Sequence, residues 1–401
     1  TVGMGLYSAA AARTLERNTA DRIQYQDGAD VTLNERWDYV SGADGNPLPS
    51  GAPPQAGGGG GDTQDQGPVV IQPPPWNIHY DLPGVAHAAQ VRNEEVTPKV
   101  GGKSLPKAKL MAINPQDFGQ VAWFRPDLAP YHINEYLNLL AEHEDAVLVT
   151  PAFMAKNKLR PGDQISLYGQ NFQEAPLIVY AAIPYWPTLY PQDGDFFIAN
   201  LSYIEDQLGI KPYEVWLKMK DGATLQPAVN ELQSKEIVVT YVSDHRQELI
   251  RARRDPELNG LLGGLTSSFL LSALITLLGF WLYAALSLRS RVLQFGMLRA
   301  IGLSARQLLS AVALEQVLTV GLGVASGTGL GLTTANLFVP FLQQGDAKTA
   351  HVPPFVVMAD PSDRIRLYVV LLLMFLIGLG GLMVALSRLR IHEALKLGED
   401  Q

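Results

Sequence analysis

Three stretches of this chain carry no charge, or almost none, over lengths that can cross a bilayer. No charged residue occurs between Glu257 and Arg289, and residues 261–288 contain 14 Leu, Ile and Phe. A hydrocarbon layer about 30 Å thick needs roughly 20 helical residues. A second stretch, 308–339, holds a single charge, Glu315, and a third, 367–387, lies between Arg366 and Arg388. Lipid offers backbone groups no partner, so all three are predicted to be helices. Residues 13–257 follow another rhythm. Around 23–33 and 165–167 apolar residues recur near every second position, which predicts half-buried strands. Residues 215–217 and 237–241 predict further strands, and 136–143 and 223–233 predict helices. Between them, Leu159 to Asp163 contains Pro161 and Gly162, the residues that suit successive central positions of a turn. The expected fold is an α-helical multi-pass membrane protein with an inserted extracytoplasmic α+β domain of two lobes.

Two segments fit neither pattern. Residues 41–75 include five consecutive glycines, 57–61, and end in three prolines. So little apolar surface predicts a disordered Gly/Pro-rich loop. Residues 1–12, TVGMGLYSAAAA, are too short to span a membrane and follow no basic stretch. They are expected to be the outer end of a transmembrane helix whose beginning is missing, so the chain reads as a fragment.

Charge sets the orientation. Residues 1–257 hold 21 Lys and Arg against 32 Asp and Glu; residues 258–401 hold 10 against 7. The connection 289–307 carries four arginines and no acid, and the tail 388–401 carries Arg388, Arg390 and Lys396. By the positive-inside rule both are cytoplasmic, which places 13–257 and the loop 340–366 on the outer side of the membrane. The acidic balance argues against a nucleic-acid partner. Without cysteine, disulfides and thiolate metal sites are excluded.

Catalytic motifs are missing. Gly102, Lys103 and Ser104 end like a phosphate-binding loop, but Thr97 stands where its first glycine belongs. His143 and Glu144 begin like a zinc helix, but Val147 replaces the second histidine. There is no G-x-S-x-G elbow. No enzyme activity and no bound cofactor are expected.

The cytoplasmic connection carries more information. Val292, Phe295, Leu298 and Ile301 recur every third residue, giving a short helix one apolar face. Gly302 suits a left-handed helix end, and Ser304 with Gln307 forms a Ser-x-x-Gln capping sequence for the next helix. A short amphipathic helix with a sharp corner is expected, either a basic anchor or a docking element. In the second span Gly323, Gly327, Gly331 and Ala335 lie four apart on one face. Such a stripe brings helices close, within one chain or across a dimer seam. Glu315, in the same span, is expected to take part in interhelical hydrogen bonding.

The stretch RSRVLQFGMLRAIGLSARQL at 289–308, with Glu315, the Gly-rich helix and the tail Glu393 to Glu399, resembles the FtsX-like permeases, membrane subunits of MacB-type ABC transporters. Residues 112–118 and 147–167 are similar to the periplasmic core domain of these permeases. The resemblance implies one span, a large outer domain and three further spans. A separate cytoplasmic ATPase would bind ATP and contact Arg291, Val292, Phe295, Gly296, Met297, Leu298, Arg299, Ile301 and Gly302. A second permease unit would pair with this one as a homodimer, as a heterodimer or as another half of the same chain. An extracytoplasmic cargo or adaptor is also implied, for export, lipoprotein handling or regulation of cell-envelope enzymes. The alternative is a membrane-anchored receptor or binding module without transport.

Overall fold

The computed structural model describes residues 1–41, 69–169, 173–343, 352–358 and 360–388. They fall into two compact units, one of Thr1–Thr19, Arg253–Gln344 and Phe355–Gln401, the other of Ala20–Ala252 and Gly345–Pro354. In chain order the first elements are α1 (Val2–Asp27), β1 (Val31–Glu35), β2 (Asp38–Ser41), β3 (Val69–Gln72), β4 (Val85–Val100), β5 (Lys103–Ser104) and β6 (Ala108–Ile113). Next come α2 (Pro115–Val121), α3 (Ile133–Glu142), β7 (Ala146–Val149), α4 (Pro151–Lys156), β8 (Gln164–Tyr168) and β9 (Glu174–Ala182). The series ends with β10 (Phe196–Asn200), α5 (Leu201–Leu208), β11 (Glu214–Met219), α6 (Gln226–Ser234), β12 (Val239–Asp244), α7 (His245–Arg253), α8 (Pro256–Ala300), α9 (Ala305–Phe338) and α10 (Pro361–Arg388).

The unit built on 20–252 is an α+β domain with a ten-stranded mixed sheet. Its strands run β12-β1-β11-β4-β6-β10-β7-β9-β8, and β8 pairs back onto β4. The last six of these strands therefore close into a ring. Its interior holds Leu110, Val147, Phe153, Leu167, Leu177 and Phe197, all at or below 1% exposure. The other lobe is the antiparallel stretch β12-β1-β11 with the first half of β4. There Val31, Leu33, Val215 and Leu217 pack against Ala228 and Leu232 of α6. One strand serves both lobes because β4 is 16 residues long. A third cluster, around Phe118, Trp186 and Trp216, fills the opposite face.

Turn chemistry follows the residues. Gly101 and Gly102, both at positive φ, form the two-residue loop between β4 and β5, where Val100 pairs with Lys103. That pairing gives the near-match to a phosphate loop its structural role. Gly162 lies at φ +97° in the expected turn, closed by Asp163 N–H to Arg160 O at 3.0 Å. Asn114, Thr150 and Asn200 cap α2, α4 and α5 with their side chains.

Two expectations about this unit need correction. Residues 23–33 are not one strand. α1 runs through Asp27, Gly28 turns the chain at φ +75°, and β1 starts only at Val31. A short alternation such as Ile23, Tyr25 cannot by itself separate strand from buried helix face. The segment 41–75 is also not loop throughout. Its β-branched run Val69, Val70, Ile71 forms β3, which pairs with β2; residues 42–68 lie outside the described residues.

In the other unit, Pro256–Tyr283 and Ser310–Leu342 are, among the described residues, long and apolar enough to cross a membrane. The third expected span lies in the helix α10, whose first turns carry Asp363, Arg364 and Arg366. Residues 1–19 pack against all three of these helices. Thr1 Oγ1 donates to Ser272 O at 3.2 Å and also contacts Thr276, both on α8. Gly5 lies against Phe269 of α8 and Leu367 of α10. Residues 1–12 are thus part of a longer helix bundled with α8, α9 and α10.

Candidate functional site

The segment 289–307 contains the expected corner but no separate short helix. α8 continues unbroken from Pro256 to Ala300, so residues 292–300 are its last turns. Nothing between Leu288 and Val292 could break it, since Arg289, Ser290 and Arg291 include neither Gly nor Pro. Gly302 ends the helix at φ +106°, with Leu303 N–H reaching back to Leu298 O at 3.1 Å. This closure satisfies a terminal carbonyl. Ser304 and Gln307 then form a reciprocal capping box: Ser304 N–H donates to Gln307 Oε1 at 2.9 Å, and Gln307 N–H to Ser304 Oγ at 3.4 Å.

Of the candidate contact residues, Met297 is 55% exposed and Ile301 80%, with Leu298 also exposed. The side chains of Arg291, Val292, Phe295 and Arg299 lie outside the described residues, and Gly296 contributes backbone to α8. Large apolar side chains open to the surroundings beside a sharply capped turn can seat a partner helix or loop.

The small-residue stripe meets α1. A Cβ placed on Gly331 would lie 2.8 Å from Gly3 Cα, and one on Gly327 would lie 2.9 Å from Val2 Cβ. Ala335 is buried with Ala10 and Ala11. Gly323 has nothing within 4 Å of such a Cβ, so it stands apart from the other three. Glu315 is half-buried, and its carbonyl accepts from Thr319 Oγ1 at 2.9 Å. Next to it, Gln316 is buried at 4% exposure, although no spacing along the chain marks it.

The outer domain adds features that sequence reasoning missed. The strand register places Thr32, Asn34, Glu214, Tyr241, Ser243 and Asn93 on one face, lining a groove of about 550 Å³. Asp27 also lines it, with Oδ1 accepting from Ser243 Oγ at 3.2 Å. The groove's Glu94 is held by Arg92 and Lys211, each at 2.6 Å. Elsewhere a fully buried pair, His79 Nε2 and Glu35 Oε1, meets at 2.7 Å. Nearby, burial pushes the Tyr213 hydroxyl up to about 12. Arg125 is a third buried centre. It donates to Asp21 at 2.8 Å, to Asp127 at 2.5 and 3.0 Å, and to Pro354 O at 2.6 Å. Burial also pushes the Tyr25 hydroxyl well above its usual range. This hydroxyl donates to Leu189 O at 2.5 Å and accepts from Trp186 N–H. Beyond the neighbouring Asp127, this centre could not be found from spacing because Asp21 and Pro354 lie 104 and 229 residues from Arg125.

Residues 266–394 match the model of the FtsX-like permease C-terminal domain. This part of the chain, about a third of it, is similar to that permease domain. It contains the α8 end, the capped corner, Glu315 and the small-residue stripe. No curated protein matches the chain. Among solved structures it is similar to the extracellular domain of the noncanonic ABC-type transporter YknZ from Gram-positive bacteria. That match has 13% identity and TM-score 0.30, covering 41% of this chain and 86% of that one. It is also similar to the periplasmic region of MacB from Actinobacillus actinomycetemcomitans, at 11% identity and TM-score 0.31, covering 45% and 81%. A permease-protein domain from Porphyromonas gingivalis matches at 11% identity and TM-score 0.31, covering 42% and 80%.

Proposed function

We propose that this chain is the permease subunit of an ABC transporter of the FtsX/MacB type, carrying ATP-driven motion of a separate cytoplasmic ATPase to its extracytoplasmic domain. The observation that carries this reading is the end of α8 within the matched permease domain. Exposed Met297, Leu298 and Ile301 stand beside a corner closed by Gly302 and the Ser304–Gln307 box. A plain anchor needs basic residues there but no apolar docking end. The sequence itself supplies no phosphate-binding loop, which agrees with ATP being bound by another subunit. Charge asymmetry supports a cytoplasmic 289–307 and C-terminus. A second permease unit completes the assembly, and the work done outside is export, lipoprotein handling or control of an envelope enzyme through cargo or an adaptor.

Co-purification tests this reading. The protein, extracted from its native membrane in mild detergent, should bring down an ABC ATPase. A variant with Phe295→Asp and Leu298→Asp, matched for membrane abundance, should lose it. Retention of the ATPase by the variant would move the contact elsewhere. The polar groove of the outer domain supports a second reading, a membrane-anchored receptor. Recovery of a soluble extracellular ligand with no ATPase would favour it.

A further inference from the structure

The segment before α10 forms neither helix nor strand, and its backbone is held by side chains of α1. Met358 N–H donates to Thr14 Oγ1 at 2.9 Å. One helical turn along, Val356 N–H donates to Asn18 Oδ1 at 3.0 Å, and Asn18 Nδ2 returns a bond to Val356 O at 2.9 Å. The spacing has a simple cause. Four helical residues rise about 6 Å, and two extended residues span about 6.6 Å, so each turn of α1 meets every second residue. At the other end Arg13 holds the start of α10. It reaches Asp363 through Nε at 2.6 Å and Nη2 at 2.9 Å, and Asp360 through Nη1 at 2.8 Å.

We infer that residues 356–358 are a strap fastened along residues 13–18 of α1, one turn of helix to two residues of strap, which makes that part of α1 and the start of α10 a single moving piece. The α1 side chains bind strap backbone, so the fastening fixes register without depending on the strap's own side chains. Its consequence for transport rests on the permease reading: a shift of α10 would reach α1 directly through the strap and the Arg13 fork. The fastening itself needs no ATPase.

Hydrogen–deuterium exchange on the full chain in lipid nanodiscs, with no ATPase present, tests it. The side chains of Val356 and Met358 are exposed, so slow exchange of their amides must come from Asn18 and Thr14. Both amides should be slow in the parent. Asn18→Ala should speed the Val356 amide about tenfold or more, and Thr14→Ala should do so for Met358. Asn18→Asp keeps the acceptor and should leave Val356 slow. The β6 amides should not change in any of these variants. Open-chain rates at both amides in the parent would overturn the strap, as would an unchanged Val356 rate in Asn18→Ala. Because no partner enters the measurement, its failure is separate from failure to recover an ATPase.

Discussion

Glycines at Gly327 and Gly331 are required by the atoms opposite them. Gly331→Ala would drive a methyl into Gly3 Cα and O, at 2.8 and 2.9 Å, where backbone cannot step aside. The expected loss is about 1–3 kcal/mol, seen as a lower midpoint for unfolding of the full chain in detergent. Gly323→Ala, with open space around it, should leave that midpoint unchanged. Gly28 is constrained twice, by φ +75° and by Trp216 at 2.2 Å from an added Cβ. Arg125 is a case of charge rather than space. With side-chain exposure of 9% for Arg125 and 3% for Asp21, Arg125→Met breaks a buried ion pair. Breaking such a pair costs about 3–5 kcal/mol, measurable by denaturant unfolding. Asp21→Asn together with Arg125→Met should recover part of that loss.

Helix caps are readable along the chain because their determinants are local. Ser304 and Gln307 are three residues apart, and Gly302 sits where a helix must end, so residue type and spacing alone are enough to place the capped corner. Replacing Gly302 by Val should open that corner, since a β-branched residue resists φ near +106°. The expected result is faster amide exchange over 301–307 with α9 itself intact. What could not be read is the continuity of α8. An apolar face at 292–301 looks the same whether the helix starts there or arrives from the membrane, because periodicity carries no information about a helix's beginning. The strand expected over 23–33 failed for a related reason, since two alternating apolar residues satisfy helix and strand alike.

For the molecule as a whole, the division into an apolar C-terminal part and an acidic domain follows from charge and hydropathy. The family match over 266–394 falls on the part where that signal is strongest. The outer domain is legible along the chain only as α+β with two lobes. Closure of six strands through the β4–β8 pairing joins residues about 70 positions apart, and no local pattern encodes such a return. The groove, the His79–Glu35 pair and the Arg125 centre share that origin, each assembled from distant segments.

The sequence by itself determined where lipid-compatible helices lie, which sharp corner joins α8 to α9, and that no phosphate-binding loop is present. These depend on residue type, spacing of a few positions and solvent preference, all written along the chain. Tertiary structure decided that the glycine stripe seats on Gly3 and Val2, that Thr14 and Asn18 hold the segment before α10, and that Arg125 binds three parts of one domain. Those outcomes depend on which surfaces meet, and a contact between residues hundreds of positions apart is settled by the packing of the whole fold rather than by either residue's neighbours in sequence.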